Sequence, residues 1–239
     1  MPLLRQNARL RKHGIWNWSL PAWAGRFEDG RTYNACPSAG ICAKTCYARN
    51  GTYRIPAVLA RHEANLRATL DDLDGWKAAM LAELDHPKFT GAWIRIHDSG
   101  DFHSAAYLLA WLDIARSRPE TGFYCYTKEV ALFRQHVEPD PPPNFRWVYS
   151  YGGTQDADLD PQRDRVADVF ADEQAIQDAG WHSQAESDLL AVLGPAPVGI
   201  PANRIPRYTR LQNGRRWSDW QAEADAEREH RRPRSAPGS

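Results

Sequence analysis

Residues 92–117 of this chain read AWIRIHDSGDFHSAAYLLAWLDIARS. Polar and apolar residues alternate over residues 92–97, as they do in a β-strand, and the turn Asp98-Ser-Gly-Asp101 ends the alternation. Residues 104–117 have the apolar spacing of an amphipathic helix, and Ser104 is suited to cap its first turn. This stretch therefore predicts one strand–turn–helix unit.

The same alternation of strands and helices extends on both sides of this unit. Alternation of this kind is typical of βαβ units, which build a parallel sheet. At about 30 residues or more per unit, the chain has room for about six. We therefore predict an α/β fold arranged as a partial (β/α)6 barrel. The other predicted elements are helices at residues 56–70, 76–84 and 130–136 and strands at residues 122–126, 145–149, 167–171 and 197–200.

The pattern divides the chain into three parts. Residues 1–30 form a basic and then aromatic N-terminal extension, and residues 31–203 hold the β/α domain. Residues 204–239 form a basic, tryptophan-containing C-terminal segment, whose end from Arg231 onward is expected to be a disordered tail.

Composition limits the classes of protein that this chain can belong to. A hydrophobic content of 42% with 25% charged residues is that of an ordinary globular protein. The net charge of zero gives no global basic field of the kind that attracts nucleic acid. No apolar run has the length of a signal peptide or a membrane span, so we expect a cytoplasmic protein whose thiols stay reduced.

Polar residues follow three of the predicted strands. In parallel α/β folds, the functional groups gather where the carboxyl ends of the strands meet. We therefore predict that these residues share a site, although aspartates in such turns also serve as simple turn and cap residues. His97 and His103 flank the first turn and suit either proton transfer or a structural hydrogen bond. The candidate site residues are Ser99, Gly100, Asp101, Lys128 and Ser150.

Three of the four cysteines, Cys36, Cys42 and Cys46, lie within eleven residues of one another. Disulfides across such short loops are strained, whereas clustered thiols commonly bind a metal ion or an iron–sulfur cluster. Three thiolates would fill three corners of a four-iron cluster and leave one iron open. The alternatives are a zinc site completed by Cys125 or a histidine, and a cluster closed by Cys125. Cys125 also suits a buried core position, because it lies in the middle of a predicted strand.

A cysteine triad that precedes alternating β/α units resembles the radical S-adenosylmethionine superfamily. More closely, four motifs within roughly residues 10–155 resemble the gene product 88 family of mycobacteriophage proteins. The cysteine spacing, Cys-x5-Cys-x3-Cys, is looser than the Cys-x3-Cys-x2-Cys usual in the superfamily. The four motifs are GIWNWSLPA at residues 14–22, CPSAGIC with CYA at residues 36–48, SGDF at residues 99–102 and FYCYTK at residues 123–128.

The radical S-adenosylmethionine resemblance implies two cofactors. Cys36, Cys42 and Cys46 would hold a 4Fe–4S cluster, and the open iron would bind the amino and carboxylate groups of S-adenosylmethionine. An electron donor would reduce the cluster. Cleavage of S-adenosylmethionine would then yield a 5′-deoxyadenosyl radical, which abstracts hydrogen from an unidentified substrate.

The resemblance also implies roles for the strand-end residues. Ser99, Gly100 and Asp101 occupy the place of the Gly-Gly-Glu stretch that binds the methionine amino group, so Asp101 would be the anionic acceptor. Ser150 would contact the ribose or the carboxylate, and Lys128 would pair with the carboxylate.

The C-terminal segment predicts the class of substrate and also an alternative function. The stretch from Arg204 to Arg216 contains five arginines and no acidic residue, and Trp217 and Trp220 follow it. Such a stretch suits contact with phosphates and bases, so a nucleotide or nucleic acid is the favoured substrate class. The alternative is a non-catalytic Fe–S or zinc-containing protein that binds nucleic acid through residues from Arg204 to Trp220. The same arginines also suit ion pairs with the acidic residues 156–188.

Overall fold

A seven-stranded, all-parallel sheet forms the centre of the computed structural model, which describes residues 2–231. The order of its strands is β1-β4-β5-β6-β7-β9-β8, and β2 and β3 form a separate antiparallel hairpin. The predicted parallel α/β fold is therefore confirmed. The strands are β1 (Ile15–Trp18), β2 (Ala24–Arg26), β3 (Thr32–Asn34), β4 (Trp93–Ile96), β5 (Gly122–Thr127), β6 (Phe145–Ser150), β7 (Val166–Phe170), β8 (His182–Ser183) and β9 (Val198–Pro201).

Several of the helices begin at residues whose side chains cap the first turn. Ser104 Oγ accepts a hydrogen bond from Tyr107 N at 3.3 Å, as predicted for an N-cap, and Asp72 Oδ1 accepts one from Gly75 N at 2.9 Å. The helices are α1 (Ala8–Arg11), α2 (Pro56–Asp71), α3 (Leu73–Leu84), α4 (Ala105–Ser117), α5 (Val130–His136), α6 (Glu173–Asp178), α7 (Leu190–Leu193), α8 (Pro206–Gln212) and α9 (Trp217–Arg231).

The two faces of the sheet pack against different layers. Ile94 and Ile96 of β4 belong to the larger core, to which α2, α3, α4 and α5 also contribute. Trp93, on the other face of β4, packs against a smaller core that includes Leu10 of α1 and Val192 of α7. Because successive side chains of a strand point to opposite faces, Arg95 shares the second face with Trp93.

The ends of the chain are joined to this architecture. β1, within residues 1–30, pairs in parallel with β4 and forms one edge of the main sheet. α8 and α9 lie within residues 204–231, whereas residues 232–239 of the expected tail lie outside the described residues. Among the helices of residues 2–231, none has both the length and the apolar character needed to cross a membrane.

Candidate metal centre

A cavity of about 410 Å³ lies at the carboxyl ends of the strands. Its wall includes residues that directly follow β4, β5 and β9, as expected for a parallel α/β fold. The three clustered cysteines and all five candidate strand-end residues line this one cavity. These eight residues are Cys36, Cys42, Cys46, Ser99, Gly100, Asp101, Lys128 and Ser150.

The cysteine loop, residues 36–46, is tied to the loop that follows β6. Gly152 O accepts hydrogen bonds from Gly40 N at 3.1 Å and from Cys42 N at 3.2 Å. Gly152 has φ of +98°, and a Cβ there would lie 2.7 Å from the Trp217 ring. Glycine is therefore required at position 152, because it adopts this backbone conformation and because it lets the Trp217 ring of α9 pack closely on the loop.

Three further contacts hold the cysteine loop from other elements. The Glu129 carboxylate accepts hydrogen bonds from Ser38 N and Ser38 Oγ, both at 2.8 Å. Gln221 of α9 is fully buried, and its Oε1 accepts from Ile41 N at 2.7 Å. Tyr208 of α8 donates to Cys46 O at 3.2 Å. The loop is thus fixed by residues far apart in the chain.

All four cysteines are free thiols. Burial raises the pKa of each clustered thiol, with that of Cys42 reaching about 11. The polar backbone N–H groups of Trp23, Gly40 and Ala48 oppose this rise in the pKa of Cys36, Cys42 and Cys46, respectively. N–H donors of this kind stabilise thiolates and tune iron–sulfur clusters. Within residues 2–231, no three His, Cys, Asp or Glu side chains converge closely enough to hold a single metal ion.

Lys128 brings a positive charge to the cysteines. Its Nζ donates to Ser150 Oγ at 2.9 Å, which joins the two predicted residues directly. Its charge lowers the pKa of the Cys42 and Cys46 thiols, against the larger effect of burial. Lys128 therefore favours thiolate at two of the three cysteines.

Asp101 connects the loops that follow β4 and β5. Oδ1 accepts from Phe102 N at 2.9 Å and from Thr127 Oγ1 at 2.8 Å, while Oδ2 accepts from Lys128 N at 2.9 Å. Burial raises the pKa of the carboxyl, and these hydrogen bonds oppose the rise. Asp101 therefore holds the cavity wall together and is itself one of the residues that border the cavity.

Gly100 and Cys125 have roles that the packing makes clear. Gly100 has φ of +90°, and a Cβ there would lie 2.6 Å from Leu20 Cβ, so this glycine allows the loop after β4 to pack closely on the segment after β1.

Cys125 is fully buried in the larger core and does not border the cavity, as the core interpretation predicted.

The two histidines of the first turn make structural contacts. His97 Nε2 lies 2.9 Å from Tyr107 Oη, and His103 Nε2 lies 3.0 Å from Thr69 Oγ1. Burial lowers the pKa of both rings, that of His103 to about 4, so both are neutral near pH 7. His97 borders the cavity and has φ of +68°, an unusual value for a residue with a Cβ.

Sequence reasoning missed an ion-paired part of the cavity wall. Arg95 Nη1 forms ion pairs with Asp98 Oδ1, at 3.2 Å, and with Asp188 Oδ2, at 3.0 Å. The sequence signal for these two ion pairs was a single arginine, Arg95, inside the otherwise apolar strand β4. Asp188 and the nearby Gln184 lie in the β8–β9 connection, where no motif marks them. Some buried polar atoms of the cavity residues lack a hydrogen-bond partner within residues 2–231: Thr45 Oγ1, Arg95 Nε, His97 Nδ1, Ser99 Oγ, Gln184 Oε1 and Trp217 Nε1.

Of the two tryptophans in the C-terminal segment, Trp220 packs inside the molecule and Trp217 is half-buried at the cavity. Trp220 is 7% exposed, with Lys44 Nζ 5.8 Å and Arg215 Cζ 4.9 Å from its ring centroid. Arg215 pairs with Glu223, and Arg216 lies 2.9 Å from Asp219. These two arginines therefore bind acidic residues of α9 rather than the acidic residues 156–188.

The fold and the cavity define a parallel α/β protein with a three-cysteine site at the carboxyl ends of its strands. A family model described as Gene product 88 matches residues 1–232, so the chain belongs to the gene product 88 family, as its motifs predicted. The Gene 88 protein of Mycobacterium phage L5 is 32% identical over 103 residues, which are 39% of this chain and 43% of that protein.

A second relative gives the same result. The Gene 88 protein of Mycobacterium phage D29 is 31% identical over 114 residues, which are 44% of this chain and 47% of that protein. The chain thus spans less than half the length of these two relatives. No solved structure matches the chain.

Proposed function

We propose that this protein is an iron–sulfur enzyme that uses S-adenosylmethionine for radical chemistry. The observation that carries the proposal is that three free thiols and five candidate cofactor-binding residues line one cavity. These residues come from loops that lie as much as 114 positions apart in the chain, so their meeting does not follow from the cysteine spacing alone.

The donor set fits a 4Fe–4S cluster with one open iron. Cys36, Cys42 and Cys46 would be its ligands, since soft thiolates are the usual ligands of such clusters. Cys125 lies in the core and supplies no fourth thiolate at the cavity. When bound and reduced, the cluster would supply one electron to S-adenosylmethionine for hydrogen abstraction from the substrate, and a separate electron donor would be the partner.

The remaining residues would bind and orient S-adenosylmethionine. Lys128 Nζ, held by Ser150 Oγ, would pair with the methionine carboxylate through a charge-assisted contact. Asp101 would accept from the methionine amino group while keeping its hydrogen bond from Lys128 N. Ser99 Oγ has no partner among the described residues and would supply a further hydrogen bond.

One feature supports a partial barrel of the kind found in radical S-adenosylmethionine enzymes. From β1 through β7, the main-sheet strands lie side by side in chain order, as in a barrel and unlike a doubly wound sheet.

The alternative, a non-catalytic metal protein that binds nucleic acid, draws less support from the packing. Trp220 is buried, and Arg215 and Arg216 are paired within the C-terminal segment, so these side chains are poorly placed to stack on bases or bind phosphates. Arg204, Arg207 and Arg210 remain exposed on or near α8. Salt-dependent DNA binding that is lost on their joint replacement would favour this alternative.

The test of the proposal is electron paramagnetic resonance of anaerobically reconstituted and reduced protein, with and without S-adenosylmethionine. We expect the cluster signal to shift when S-adenosylmethionine is added. Lys128→Met should weaken this response, whereas Lys12→Met, a matched change at an exposed lysine, should not. A cluster signal that S-adenosylmethionine leaves unchanged would contradict the proposed chemistry.

A further inference from the structure

The ion-paired part of the cavity wall is built from three separate elements. Arg95 comes from β4, Asp98 from the turn after it, and Asp188 from the β8–β9 connection. Tyr53 Oη donates to Asp98 Oδ2 at 2.7 Å, and Tyr124 Oη donates to Asp188 Oδ2 at 2.7 Å. These bonds fix the wall, so a ligand would meet a preorganised surface.

The charge of this wall is unfavourable for an anionic ligand. One guanidinium lies between two carboxylates, so the three side chains together carry a net charge of −1. A phosphate or carboxylate placed here would meet a guanidinium that Asp98 and Asp188 already neutralise. The ligand group recognised by the wall is therefore neutral or cationic.

Two buried atoms of the wall show what that group must offer. Gln184 is 5% exposed and borders the cavity, and its Oε1 acceptor has no partner within residues 2–231. Arg95 Nε, a donor, likewise has no partner. Since a buried polar atom without a partner is unfavourable, a ligand that both donates and accepts would relieve this cost. An ammonium group only donates, so it satisfies one of the two atoms at most.

The same part of the cavity also has aromatic rings. Tyr53 and Tyr126 border it, and the Arg95 guanidinium lies 5.0 Å from the centroid of the Tyr126 ring. A ligand with a flat π surface can stack on such rings. The volume of about 410 Å³ is within the usual range for cavities that bind small molecules and cofactors.

We propose that this part of the cavity, which Arg95, Gln184, Asp188 and Tyr126 border, binds the nucleobase of the substrate. A nucleobase is neutral and flat, and its edge carries donors and acceptors side by side, which the primary amide of Gln184 can pair with through both of its groups. The inference rests on the proposed function only in calling this ligand the substrate. The adenine of S-adenosylmethionine has the same chemistry, so the test separates the two sources.

The test is isothermal titration calorimetry of the full chain with adenosine, guanosine, cytidine and uridine, first without a cluster. We expect at least one nucleoside to bind with a dissociation constant below about 1 mM. Gln184→Leu should weaken that binding about tenfold or more, since it removes both hydrogen bonds. Gln162→Leu, at an exposed glutamine, should leave the binding unchanged.

Three results would overturn the inference. They are that no nucleoside binds the wild type, that Gln184→Leu binds as well as the wild type, and that S-adenosylmethionine alone binds and depends on Gln184. The last result would assign the wall to the cofactor. If Gln184→Leu does not fold, as judged by urea unfolding, Gln184→Glu serves instead, because it keeps the shape, replaces the amide donor and should change which nucleoside binds best.

Failure of this inference and failure of the proposed function are distinguishable. Nucleoside binding by a protein that takes up no iron would uphold the nucleobase site and contradict the radical chemistry. A cluster signal that responds to S-adenosylmethionine, in a protein that binds no nucleoside, would contradict the nucleobase site alone.

Discussion

Replacement of Gln221 by leucine tests whether α9 holds the cysteine loop in place. Gln221 is fully buried, its Oε1 accepts from Ile41 N at 2.7 Å, and its Nε2 donates to Asp225 Oδ2 at 2.9 Å. Leucine has a similar volume, so the substitution creates little cavity. It does remove the acceptor of Ile41 N–H, which lies inside the cysteine loop.

The expected fall in the unfolding free energy follows from the loss of the hydrogen bond to Ile41 N. A buried N–H group without an acceptor costs about 1–3 kcal/mol of unfolding free energy. With a urea m-value of about 3 kcal/mol/M for a chain of this size, the unfolding midpoint should fall by about 0.3–1 M. The loop itself should open more often, so that amide exchange at Ile41 becomes about 5–150 times faster.

The assays are urea unfolding followed by tryptophan fluorescence and deuterium uptake of the peptide that contains residues 38–46. Gln174→Leu is the matched control, because Gln174 also lies in a helix and donates to an aspartate four positions later, Asp178, but is exposed. We expect the control to change neither measurement. A midpoint and a deuterium uptake for Gln221→Leu equal to those of the control would refute the role assigned to α9.

Three other perturbations have defined outcomes. Asp101→Asn replaces the oxygen that accepts from Lys128 N by an amide N–H group, so this hydrogen bond is lost. The unfolding free energy measured in urea should therefore fall by about 1–3 kcal/mol. An unchanged unfolding midpoint would show that the hydrogen bonds of Asp101 contribute little to stability. His103 has its pKa lowered to about 4 by burial, so its contribution to stability is present above the unfolded value near 6.5 and is lost as pH falls toward 4. Relative to His103→Gln, the wild type should lose roughly 2 kcal/mol between pH 7 and pH 4 in urea titrations, and parallel pH profiles would contradict this. Cys125→Ala should cost about 1–2 kcal/mol by leaving a small cavity in the core, yet keep the wild-type iron content; loss of iron would identify Cys125 as a ligand.

The regular part of the fold could be predicted because its signals are local. The strand and helix of residues 92–117, the Ser104 cap and the helix over residues 56–70 each follow from periodicity or from one capping residue. β1 was harder to predict, because its four residues contain two tryptophans and lie among basic residues, so no alternation marks it. β8 has only two residues, and these form a strand only because they pair with β9.

The candidate site shows the same division between local and distant signals. Cysteine spacing and the strand-end rule are local, and they identified eight of the residues that line the cavity. Gln221 acts through a contact with Ile41, at a separation of 180 positions, and Gln184 reaches the cavity from the β8–β9 connection. The sequence around these glutamines is that of ordinary helix and loop, so only the tertiary structure reveals them.

The metal content of protein purified without oxygen tests most directly whether Cys36, Cys42 and Cys46 hold an iron–sulfur cluster. We expect about four iron and four sulfide per chain, with iron lost in Cys36→Ala, Cys42→Ala and Cys46→Ala. Cys125→Ala is the matched control and should keep its iron. Zinc without iron, or iron that survives replacement of all three clustered cysteines, would contradict the claim that these thiols hold an iron–sulfur cluster.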